Sequence, residues 1–164
     1  MPRYEIPNRL ICEYAGQIAT AAEFLYEHIA EVQCALSVLH EGSLAVELYL
    51  KSLSAETVLH RLEGCEVLQQ VTAIPRRGNV LDRLFDAIDQ PIRDELQAGF
   101  AISPSIAGIT SLRAALGRYN ETFVDIRYIF ERQDAGNLDV GGLIQLVRFL
   151  RAQVPRLPMR YTSA

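Results

Sequence analysis

The sequence predicts an all-α protein, an up-and-down bundle of five to six helices with one candidate β-hairpin inserted near residues 57–74. Three observations carry this expectation. Two long stretches repeat apolar residues at steps of three and four. A third stretch is apolar on most sides, as a helix at the centre of a bundle would be. Capping residues stand just ahead of several of these runs. The size agrees: 164 residues, 49% apolar and 22% charged, are enough for one domain with a real core and too apolar for a disordered chain. The domain is expected to span residues 1–155, with 156–164 as a loose tail. A membrane-spanning helix is not expected, because no run of about 18 apolar residues exists. The start, Met1-Pro2-Arg3-Tyr4-Glu5, lacks the apolar core of a secretory signal, so a cytoplasmic protein is expected.

The first helix is expected from about residue 9 to 40. Ile11, Tyr14, Ile18, Ala22, Leu25, Ile29, Val32, Leu36 and Leu39 recur at helical spacing, with Glu23, Glu27 and Glu31 on another face. Glu41-Gly42-Ser43 reads as its end, with Gly as terminator and Ser43 as the next cap. Residues 44–53 form the apolar second helix, whose only charges are Glu47 and Lys51. In residues 57–74, β-branched residues flank Glu63-Gly64-Cys65-Glu66, which suggests the hairpin; a continued helix competes for 54–62. Asn79 can cap a helix with Asp82 in its first turn and Leu81, Leu84, Phe85 and Ile88 on its apolar face. Pro91 opens a short helix that ends near Gly99 and Phe100. Ser103-Pro104 reads as the start of a stretch to about residue 133, either one long helix or two joined at Gly117. Asp139 begins the last helix, and Pro155 and Pro158 end it. The pair Gly141-Gly142 at its start carries no functional signal.

Charge is uneven. Residues 1–70 hold four basic and ten acidic side chains, and residues 71–164 hold twelve basic, all Arg, and ten acidic. The net charge of −4 does not suggest an obligate nucleic-acid coat, although the two halves could attract each other within a fold or across a dimer. Cys12, Cys34 and Cys65 form no CxxC pair and no zinc spacing, so they read as small buried apolar residues in a reducing compartment. His28, His40 and His60 have no second His or Cys at i+3 or i+4, and His28-x-x-Glu31 alone does not make a metal corner. No Ser-His-Asp order, Walker loop or G-x-G-x-x-G turn occurs, and no cofactor is expected.

Two segments say more. Glu47-Leu48-Tyr49-Leu50-Lys51 sets an i,i+4 charge pair on a mostly buried helix. Burying such a pair costs several kcal/mol unless it is well partnered, so the site is either a helix edge or a functional polar spot. Phe123-Val124-Asp125-Ile126-Arg127-Tyr128-Ile129-Phe130-Glu131 sets Arg127 beside an aromatic stripe and one turn from Glu131. An Arg there can lie along apolar surface with its head held by carboxylates, or offer its planar fork to a phosphate.

Taken in order, a long amphipathic helix, Glu47-x-x-x-Lys51, Gly78-Asn79-Val80-Leu81-Asp82-Arg83-Leu84-Phe85 and Phe123-x-x-x-Arg127-Tyr128-x-x-Glu131 resemble the HEPN superfamily (higher eukaryotes and prokaryotes nucleotide-binding) over roughly residues 10–133. The resemblance implies an α-helical up-and-down bundle, usually dimeric, of the kind found in toxin–antitoxin, phage-defence and RNA-processing systems. Active members are metal-independent ribonucleases that use an Arg and, four to six residues later, a His, set in a cleft between two subunits. Arg127 matches the arginine. The histidine is missing, since Arg132, Gln133 and Asp134 occupy its place, and Asn79 stands where many members have another His. Cleavage through the 2′-hydroxyl wants a group that titrates near neutral pH, and no His follows residue 60. The expectation is therefore a non-catalytic HEPN-like binding protein, a homodimer, contacting RNA, a nucleotide or a cognate protein. A ribonuclease with a non-standard base and a purely structural helical partner protein are the alternatives. Candidate binding residues are Glu47, Lys51, Asn79, Arg83, Arg127, Glu131 and Arg132, with no catalytic residue and no metal ligand.

Overall fold

Small residues decide where the longest helices lie. A computed structural model describes residues 3–61, 68–73, 80–103, 106, 108–127, 139–158 and 160–163. The chain is mainly helical. Helix α1 (Arg9–Glu27) packs chiefly on α3 (Ala35–Ser52), and both meet α8 (Val140–Gln153). The fully buried residues of α1 are Ala15, Ala19 and Ala22, one methyl per turn, which lets its backbone come close to its neighbours. α3 is the most enclosed element: Leu39, Ala45, Val46, Tyr49 and Leu50 join a single core with residues from α4 (Leu81–Asp86), α5 (Gln90–Ala101), α6 (Leu112–Gly117) and α8. A further short helix, α7 (Thr122–Arg127), also packs on α3.

The expected first break is misplaced. The chain interrupts the long helix at residues 28–34, with the single-turn α2 (Ile29–Val32) between α1 and α3, and runs unbroken through Gly42 and Ser43. Gln33, at a left-handed φ of 50°, ends α2. Gly42 is needed for proximity, not termination, because a Cβ there would sit 3.0 Å from Leu143 Cδ2 of α8. The stretch expected as helix from Ser103 to residue 133 also differs. Ser111, not Ser103, caps α6, its Oγ accepting from Ala114 N, and a turn at 118–121 separates α6 from α7. These breaks give eight α-helices among the described residues, more than the five or six expected.

Strands appear at two places. β2 (Glu56–Arg61) pairs antiparallel with β3 (Leu68–Ala73), in register Glu56↔Ala73 to Arg61↔Leu68, within the segment proposed as a hairpin; residues 62–67 lie outside the described ones. β1 (Arg3–Ile6) pairs antiparallel with β4 (Arg160–Ser163). The C-terminal residues are therefore not the loose tail expected. A 3₁₀ turn, Val154–Arg156, buries Leu157, and an aromatic and β-branched segment then supplies the partner strand for the N-terminus. The order of β1 is extended into α1 by Asn8, whose side chain accepts from Ile11 N while its own N–H donates to Ser52 O at 2.7 Å.

Caps divide into local and distant ones. Asn79, the expected cap of α4, lies outside the described residues. The α4 N–H of Asp82 instead donates to Asn120 Oδ1 at 3.1 Å, a partner 38 residues away. Asp139 caps α8 as expected, accepting from Gly142 N at 2.8 Å. A Cβ at Gly142 would force the capping Asp139 carboxylate and the Tyr119 hydroxyl packed on it to move. A Cβ at Gly141 would meet Tyr26 Oη at 3.5 Å and Asp139 Oδ1 at 3.8 Å, ordinary contact distances. Gly142→Ala should therefore lose about 2–3 kcal/mol through overpacking and the damaged cap. Gly141→Ala should be neutral or stabilising by up to about 1 kcal/mol. Urea denaturation of both variants checks the contrast, and equal effects would contradict the packing described.

Candidate functional site

Two of the buried polar residues, Ser43 and Glu47, stand on one edge of α3. Ser43, Glu47 and Lys51 follow at steps of four and so share that edge. Glu47 is only 5% exposed. Its Oε1 accepts a hydrogen bond from Lys51 Nζ, and the Lys51 side chain is 20% exposed. The pair is thus an ion pair with a covered acid and a base that reaches water. One turn earlier, the fully buried Ser43 Oγ has no hydrogen-bond partner among the described residues.

The helices that carry the other sequence-derived candidates surround α3. α4, with exposed Arg83, packs on it, and so does α7, which ends at Arg127. On α7, Thr122 is buried and Ile126 packs against the core. Glu131, Arg132 and Asn79 lie outside the described residues. The structure therefore brings the helices of Glu47, Lys51, Arg83 and Arg127 together through α3.

The described histidines make other contacts. His28 Nδ1 donates to Phe24 O at 2.9 Å and its ring stacks on Phe24, while His40 Nδ1 bonds Glu41 Oε1 at 3.1 Å. Neither contact involves α7. No cluster of three His, Cys, Asp or Glu suited to a metal occurs among the described residues, and no described helix is long and apolar enough to cross a membrane.

Six of the described arginines, Arg9, Arg93, Arg113, Arg118, Arg148 and Arg151, meet carboxylates. Arg113 forks onto Asp86, with Nε–Oδ1 and Nη2–Oδ2 both 2.8 Å, and Arg93 approaches the same carboxylate at 4.0 Å. The Arg113 hydrogen bonds hold the Asp86 carboxyl below its usual range. Arg148 and Arg151 of α8 bond Glu23 of α1, and Arg118 meets Asp139 at 3.8 Å. These pairs tie α4 to α6 and α1 to α8. Beside the second clamp lies the buried Tyr49 hydroxyl. Burial, with the nearby Cys12 and Glu23 adding to it, pushes this hydroxyl up from 10.0 to about 12. Burial and the Asp139 carboxylate raise Tyr119 as well.

Sequence reasoning missed a cavity of about 290 Å³ between the start of α1 and the C-terminal 3₁₀ turn, lined by Pro7, Arg9, Cys12, Glu13, Pro155 and Leu157. Burial and Glu13 push the Cys12 thiol up, so it is an uncharged part of the lining. No motif marks it in the sequence, because its walls come from opposite ends of the chain. Comparison with family models, curated proteins and solved structures found no match.

Two tests follow from this geometry. Lys51→Met should cost about 3–5 kcal/mol by stranding a buried carboxylate, whereas Glu47→Leu combined with Lys51→Met should recover most of it. Chemical denaturation of the single and double variants measures the coupling. Second, the neutral forms of Tyr49 and Tyr119 are favoured in the folded state. Tyr49's contribution is complete below pH 10.0 and is lost as pH rises towards about 12, and Tyr119's is likewise lost above its ordinary range. Melting temperature against pH should fall over that window, and Tyr49→Phe should flatten the fall.

Proposed function

We propose that this chain is a non-catalytic HEPN-like binding protein, acting in a toxin–antitoxin or defence module, that contacts RNA or a nucleotide through the polar edge of α3 and the adjoining α7. The observation that carries the reading is the packing of the Arg127 helix on the helix that holds the buried Glu47–Lys51 pair. An ion pair in the core contributes less to stability than apolar residues of the same size would, so its presence fits a polar spot kept for a ligand. The absence of any His after residue 60 supports binding without cleavage. A second reading, a purely structural helical partner protein, is favoured by the arginines of α5, α6 and α8 that are already paired with carboxylates.

The test is an assay of RNA retention and cleavage at low and high salt, with Arg127→Ala beside the unmodified protein. The proposal expects retention without cleavage, weakened severalfold by Arg127→Ala and by salt, as phosphate contacts require. Cleavage that a stably folded Arg127→Ala abolishes would make the chain a ribonuclease with a non-standard base. Neither retention nor cleavage would favour the structural reading.

A further inference from the structure

The cavity beside the start of α1 holds none of the residues assigned to the polar edge of α3. Pro7 and three α1 residues that share a side of the helix, Arg9, Cys12 and Glu13, form one wall. Pro155, in the C-terminal 3₁₀ turn, and Leu157, just after it, form the other. The volume of about 290 Å³ stands at the small end of the range for ligand sites. An apolar cavity of about 150 Å³ accepts benzene, so this one has room for roughly a dozen non-hydrogen atoms.

Both walls are held in place. Asn8, next to Pro7, is fully buried; its N–H donates to Ser52 O at 2.7 Å and its side chain accepts from Ile11 N at 3.1 Å. On the other side Leu157 is buried, and its N–H donates to Val154 O at 3.2 Å. The two proline rings add wall with little conformational freedom. A site fixed in this way needs little ordering when a ligand enters.

Polarity narrows the occupant. The side chains of Pro7, Pro155 and Leu157 offer no hydrogen bond, and a buried water needs several polar partners. Burial and Glu13 keep the Cys12 thiol in its uncharged form. Arg9 and Glu13 are the charged members. Their side chains are 72% and 54% exposed, so they stand at the mouth, and they close on each other at 2.8 Å. An anion drawn to Arg9 is repelled by Glu13, and a cation drawn to Glu13 is repelled by Arg9. Either ion would also lose hydration against the apolar walls. We propose that this cavity is a binding site for a small uncharged molecule with an apolar body of one or two rings, and that the Arg9–Glu13 pair at its mouth selects against charged ligands of the same shape.

Three naphthalene derivatives test this by isothermal titration calorimetry: naphthalenemethanol, which is uncharged, the anion naphthoate and the cation naphthylmethylammonium. The alcohol should bind with a dissociation constant on the order of 10–100 μM, and each ion should bind about tenfold or more weakly. Glu13→Gln should bring naphthoate to within about threefold of the alcohol, and Arg9→Gln should do the same for naphthylmethylammonium. Both residues are exposed, so circular dichroism should show the variants folded. Alkylation of the thiols by iodoacetamide, read residue by residue by tandem mass spectrometry, locates the site. At about ten times its dissociation constant the alcohol should slow alkylation of Cys12 roughly tenfold and leave Cys34, which does not line the cavity, unchanged. No binding of the alcohol at millimolar concentration, or binding that leaves Cys12 as reactive as before, would overturn the site. Equal affinity for the alcohol and the two ions, or ion affinities indifferent to both variants, would overturn the selection. RNA retention is a separate readout and does not bear on either.

Discussion

The close approach of α1 and α8 to α3 governs the rest of the molecule. α1 comes near through a face of alanines, and α8 comes near because Gly42 has no side chain to stand between α3 and Leu143. α3 and α8 together supply much of the core, through Leu39, Val46, Tyr49 and Leu50 and through Leu143, Leu146, Val147 and Leu150. Interiors are packed at crystal-like density, so adding even a methyl at such a contact is felt. The same geometry explains why α1 wears its large residues outside. The alanines take the inward side, and Leu10, Tyr14 and Phe24 are left on the opposite one.

Enclosure of α3 also creates the electrostatic character of the protein. The Glu47–Lys51 pair lies where the low dielectric makes each charge costly alone and strongly attractive to its partner. Elsewhere charges are kept at the rim and matched across helices. Glu23 receives two arginines from α8, and Asp86 receives the forked guanidinium of Arg113. Exposed pairs of this sort contribute little each, but the bidentate one fixes orientation as well as distance. They hold the relative rotation of helices whose apolar contacts are broad and would permit sliding.

Features with a local cause were readable from the residues. Asp139 capping α8, Pro91 opening α5 and the mainly helical class all depend on residues within a turn or two of one another. The polar spot at Glu47 and Lys51 was legible because an i,i+4 pair in an apolar run is visible without coordinates. Features with a distant cause were not. Gly42 looked like a terminator because its need for space arises from Leu143, a hundred residues on. Asn120 gave no sign of serving α4, and the C-terminal residues gave no sign of the strand at the N-terminus that they pair with.

Composition and periodicity alone thus specify a mainly helical chain with a buried helix, an embedded charge pair and an arginine on a late helix. Tertiary structure decides which face of each helix turns inward. For α1 the inward face is centred on Ala15, Ala19 and Ala22; of the expected stripe, Ala22 is buried and Ile18 and Leu25 pack half-buried beside it, while Tyr14 is left outside, because proximity to α3 is limited by side-chain volume. Periodicity weighs residues by hydrophobicity along one helix. It holds no information on how much room a neighbouring helix leaves, and that room is set by residues far away in the chain.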